Sequence, residues 1–211
     1  MSKVSALIVS ILFFLLIGSP ADCQYSLNSP YNSLRKDTSK YLIEWNKADR
    51  LYCLDFRKVH ADSPAAIISS KFFIGWEKKG SVIAYRVFTI FNTHLSYMNE
   101  ICYCDPYILA HEQLHFDIIE LGARNIAKSI EQFSLVSNSK EDVQAFMTSI
   151  YNIYVTYVND LNNQFDTESI HLAEERLKAW QAYVAMELAL TAQWSAHNEI
   201  KYKAVTQIVK K

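Results

Sequence analysis

The hydrophobic period of this chain changes once, at Pro106, and that change limits what it can fold into. From residue 41 to about 104, apolar positions alternate as they do in strands. The clearest stretch is "AIISSKFFIGWEKKGSVIAYRVFTIFN", in which Phe72, Ile74 and Trp76 share one face. "EKKG" reads as a turn, after which Ile83, Tyr85, Val87 and Thr89 share a face again, the mark of a β-hairpin. After Pro106 the spacing becomes helical, with the proline at a first-turn position that tolerates it. Three helices are predicted: "PYILAHEQLHFDIIELGARNIAKSIEQF", "EDVQAFMTSIYNIYVTYVNDLNN" and "SIHLAEERLKAWQAYVAMELALTAQW". "SLVSNSKED" and "QFDTES" read as the breaks between them. The expectation is an α+β fold, an N-terminal antiparallel β region followed by three long helices.

The first of those helices carries "HEQLH" at 111–115. Its two histidines are i and i+4, so their rings lie on one face, with Cβ atoms roughly 6 Å apart, and can converge on one cation. Glu112 is rotated by about 100° and stands beside the pair, where it can take a proton from a water at the metal. This is the H-E-x-x-H arrangement of zincin-like hydrolases. Neutral imidazole suits Zn²⁺, a borderline-soft ion. Asp117 and Glu120 lie about 200° and 140° around the helix from His115, too far for either to ligate the same ion. Glu120 and Arg124 are i, i+4 and are expected to pair. The polar back face reads either as a network docking the helix on the sheet or as a solvated charged surface.

A catalytic zinc commonly takes three protein ligands. Short breaks imply antiparallel neighbours, so the start of the third helix returns to the end of the bundle where His111 and His115 sit. His171 lies at that start and is the favoured third ligand; His197, on the order of 39 Å further along a helix, is not. Asp166 and Glu168 flank His171 and could ligate, or orient it from behind. His60 and His94, in the strand region, are not excluded by this argument.

The remaining features concern context. The chain has 211 residues, half of them hydrophobic, enough for one domain with a real core. A net charge of −1 argues against a nucleic-acid partner, which would require a basic face. Residues 1–23 read as a signal peptide: a basic start, the apolar run "VSALIVSILFFLLIG", and Ala21 and Cys23 at the small positions of a cleavage site. Residues 24–211 would then be one exported, metallohydrolase-like domain, periplasmic or extracellular, with no membrane association after cleavage. Of the remaining cysteines, Cys53 is expected to pair with Cys102 or Cys104, leaving one thiol.

"AHEQLHFDIIELGAR" resembles the signature of the bacterial domain-of-unknown-function family 922, described as predicted secreted Zn-dependent proteases. The matching positions are His111 to Ile118, then Glu120, Ala123 and Arg124. "CLDF" at 53–56 and "FDTESIHL" at 165–172 resemble flanking segments of that family, so the likeness spans roughly residues 50–185. Phe165, Ser169 and Leu172 depart from the family's Tyr, Thr and Gly, whereas Asp166 and His171 keep its pattern. The resemblance implies His111, His115 and His171 as ligands of Zn²⁺, Glu112 as general base, and a peptide or protein as substrate. The rival expectation is a non-catalytic exported binding protein with a structural or vestigial metal site. A third is an α+β interaction domain with no metal.

Overall fold

The computed structural model describes residues 41–133, 139–169, 173–195 and 201–204. Residues 1–23, where a signal peptide is expected, lie outside the described residues, as do His171 and His197. The fold is α+β: among the described residues six strands come first, three helices follow, and one short strand comes last. In chain order the elements are β1 (Leu42–Glu44), β2 (Arg57–Val59), β3 (Ala66–Ile67), β4 (Ser70–Lys79), β5 (Val82–Asn92), β6 (Tyr97–Asn99), α1 (Pro106–Gln132), α2 (Lys140–Ser169), α3 (Ala173–Leu190) and β7 (Lys201–Ala204).

The hairpin β4–β5 is the backbone of the main sheet. Its register pairs Phe72 with Thr89, Ile74 with Val87 and Trp76 with Tyr85, so one face carries all six side chains. That face, with Ile83, meets Leu114, Ile118, Ile119 and Ile126 of α1 in the main core. The turn is tighter than expected, because Glu77–Lys79 extend β4 and only Gly80 and Ser81 remain between the strands. Gly80 has φ +58°, a conformation that glycine adopts without steric cost. On the opposite face Phe73, Phe88 and Ile90 form a separate cluster, with Lys71 and Arg86 lying 4.7 and 4.8 Å over the Phe73 and Phe88 rings. β1 and β7 both pair antiparallel with β5, at its two ends. β7 is an addition to the expected order, in which strands preceded helices only. It is four residues long and is held by Lys201, whose Nζ donates to Gln193 O at 2.9 Å. β2, β6 and β3 make a second small sheet, with β2 parallel and β3 antiparallel to β6.

α1 is the central element. Asp105 caps it, its side chain accepting from the backbone N–H of Tyr107 and Ile108, with Pro106 in the first turn. It packs on β4 and β5 and against both later helices, so its polar residues are buried as well as its apolar ones. Trp45 Nε1 and Gln113 Nε2 donate to Asp117 at 2.8 and 2.9 Å, and Arg50 at 3.1 Å. Arg124 pairs with Glu120 at 2.8 Å and donates to Leu188 O at 2.5 Å, tying α1 to α3. Of the two readings of the back face, the docking network is the one the fold contains.

α2 runs antiparallel to α1. Ser129 meets Tyr154, and His115 meets Asn162, so rising α1 numbers meet falling α2 numbers. The helices approach closely at Gly122. A Cβ there would fall well inside van der Waals contact of Val158 Cγ1 and lie 3.2 Å from Phe72 Cε1. The expected break at 164–169 is corrected: α2 continues through it to Ser169, because Val158, Asn162, Phe165 and Ser169 extend its buried stripe at helical spacing. The described part of α3 is Ala173–Leu190. The expected disulfide forms between Cys53 and Cys104, and Cys102 keeps a free thiol.

Candidate metal centre

One turn of α1 and one turn of α2 build the site. On α1 the i, i+4 spacing brings the His111 and His115 rings to 4.8 Å between centroids, with their Nε2 atoms 3.1 Å apart. α2 supplies Asp166, whose Oδ1 lies 3.2 Å from His111 Nε2 and 3.0 Å from His115 Nε2. Three ligand atoms from three side chains therefore meet at one point. Among the described residues these are the His, Cys, Asp and Glu side chains grouped closely enough to hold a metal ion.

The donor set fits zinc. Two imidazole nitrogens and a carboxylate oxygen are ordinary zinc ligands, and tetrahedral bonds of about 2.0–2.1 Å set such atoms roughly 3.4 Å apart. The three separations, 3.0–3.2 Å, are slightly contracted from that value. The site has a floor and an edge. His115 is fully buried, while the His111 and Asp166 side chains keep 12% and 18% of their exposure. Phe165 closes one wall, its ring centroid 4.4 Å from that of His111 and 5.0 Å from that of His115.

Glu112 is buried beside the ligands, and among the described residues its Oε2 has no hydrogen-bond partner. An orphaned carboxylate oxygen at this depth is rare in folded proteins and calls for a ligand or water to complete it. Burial pushes the Glu112 carboxyl above its usual range; the His115 and His111 rings oppose that shift and Asp166 adds to it. Burial acts to raise Asp166 too, but its hydrogen bonds to His111 and His115 prevail and bring it down to about 2. Burial depresses the His115 imidazole, and the Asp166 carboxylate, Glu112 and Asn162 outweigh it, so the net direction is upward. The cluster thus holds an anionic oxygen against two ring nitrogens, with a second carboxyl alongside whose proton affinity burial raises.

The predicted residues divide as follows. His111 and His115 come together, with Glu112 buried beside them. Asp166, read from the sequence as a flanking alternative, stands in the ligand position, while His171 lies outside the described residues. Glu168 points elsewhere: it accepts from Trp180 Nε1 at 3.0 Å and Gln164 Nε2 at 2.8 Å. His60 is exposed and pairs with Asp62, and His94 packs on Tyr41, so neither joins the site. Sequence reasoning missed Asn162, whose Oδ1 lies 2.8 Å from His115 Nδ1. It stands four residues before Asp166, so both face the same way once α2 is read as continuous.

No protein-family model matches the chain, and no curated protein or solved structure matches it either.

Proposed function

We propose that the protein is an exported metal-dependent hydrolase acting on peptide bonds, with His111, His115 and Asp166 holding Zn²⁺ and Glu112 as general base. The observation that carries this reading is the convergence of three ligand atoms, all within 4.8 Å of one another, beside a buried carboxylate oxygen that lacks a partner among the described residues. A zinc ion bound there would supply a Lewis acid that polarises the scissile carbonyl and makes water more acidic. Glu112 takes the proton of the attacking water and passes it to the leaving amine. The raised proton affinity of its carboxyl suits it to accept that proton. Phe165 excludes water from the inner side of the ligands, and the exposed edge at His111 and Asp166 admits the substrate. That open edge favours catalysis over a structural ion, whose coordination is closed by protein. Residues 1–23 and the Cys53–Cys104 disulfide support export. Among the described residues no helix is long and apolar enough to cross a membrane.

The test is the metal content of the purified protein by mass spectrometry, beside His115→Ala, Asp166→Ala and His171→Ala. One zinc per chain is expected, lost on replacing His115 or Asp166; its loss on replacing His171 would add that residue to the ligands. Glu112→Gln should keep the zinc and lose at least about 100-fold in turnover of an unfolded protein substrate. Wild type that takes up no metal when zinc is supplied, or a Glu112→Gln variant with full activity, would sink the reading.

A further inference from the structure

We propose that Asn162 is the positioning residue of this centre: it holds His115 in the tautomer protonated at Nδ1, leaving the Nε2 lone pair for the metal. The inference rests on the metal reading above and extends it to a residue outside the motif.

Asn162 is fully buried on α2, where an amide is costly unless it is hydrogen-bonded. Its Oδ1 lies 2.8 Å from His115 Nδ1. An amide oxygen can only accept, so the ring nitrogen facing it must carry the proton. In a neutral imidazole the other nitrogen then holds the lone pair, and Nε2 is the atom that faces His111 Nε2 and Asp166 Oδ1. The amide turned the other way would donate to Nδ1, place the proton on Nε2 and remove the ring from the ligand set. Asn162 Nδ2 is buried with no partner among the described residues, so none of them opposes the orientation that favours the metal. Metal-bound histidines commonly donate their second N–H to such an acceptor, which fixes both the tautomer and the ring plane. Here the acceptor and the Asp166 ligand share one face of α2, one turn apart, so docking α2 on α1 sets both at once.

The experiment compares zinc affinity, by competition with a chelator, in wild type, Asn162→Asp and Asn162→Leu. Asp keeps an acceptor and can never donate from that position when ionised; Leu has a similar shape and no acceptor. Affinity should fall about 10- to 100-fold in Asn162→Leu and stay within a few-fold of wild type, or rise, in Asn162→Asp. A residue that merely fills space would leave the affinity of the folded Leu variant unchanged, and that result overturns the proposal. In zinc-loaded wild type, nitrogen-15 NMR of the His115 ring should show the proton on Nδ1 and the metal on Nε2. The reverse assignment also overturns the proposal, and this measurement decides the matter should Asn162→Leu not fold. Wild type that binds no zinc instead refutes the metal reading, so the two failures are distinct.

Discussion

A carboxylate buried as deeply as Glu112 is costly to ionise, and in the metal-free chain that cost falls on the fold. Its folded-state value is raised, by burial first. A raised carboxyl favours the folded state below its ordinary 4.5 and loses that contribution as pH climbs through the folded value. Glu112→Gln removes the charge. In the presence of a chelator it should melt above wild type at neutral pH, by a few degrees for each kcal/mol recovered, at about 2–4 °C per kcal/mol. The gap should close on acidification below 4.5, the carboxyl's ordinary value. Matching melting curves for the two chains from acid to neutral pH would show that the charge costs the fold nothing. The three motif residues were legible because five consecutive positions on one helix fix their geometry. Asp166 was legible only as a neighbour of His171, and Asn162 not at all: its role exists only once a second helix lies against the first.

The second helix was the element least visible in sequence. "QFDTES" has the composition of a loop, and its polar letters outweigh the single Phe165 that continues the buried stripe. Tertiary packing overrides local preference there. The hairpin and α1 were easier, since their periods of two and 3.6 are sustained over many residues. Between α1 and α2 the spacing is set at Gly122, seven residues from His115, against Val158, four residues from Asn162. Gly122→Ala gains about 1 kcal/mol of helix propensity but overpacks the contact, at a cost of about 1–3 kcal/mol. Val158 cannot rotate away easily, because a β-branched residue in a helix has one strongly preferred rotamer. The expected result is a net loss of up to ~2 kcal/mol in urea unfolding, with weaker zinc binding as the helices part. An alanine variant as stable as wild type, with the same affinity, would mean the helices are spaced elsewhere.

At the level of the whole molecule, the strand region and α1 are joined covalently as well as by packing. Cys53 and Cys104 close a loop with a sequence separation of 51, and Cys104 lies next to the Asp105 cap of α1. Restricting an unfolded loop of that length contributes about 4 kcal/mol. Replacing both cysteines by serine should lower the denaturant midpoint accordingly, while zinc affinity holds, since both halves of the metal site lie on α1 and α2. A large loss of affinity in the folded double variant would place the disulfide in control of the site. One further consequence lies in where the helix contacts fall. α1 and α2 join through residues 133–139, and their meeting points run from Ser129–Tyr154, past Gly122–Val158 and His115–Asn162, to His111–Asp166. The candidate metal ligands are the last of these, roughly 30 Å along α1 from its end at Gln132 by helix rise. An ion bound there would be a clasp at the far end of the seam between the two helices. Removing such an ion would release the helix pair at that end and leave the contacts around Ser129 and Tyr154 in place.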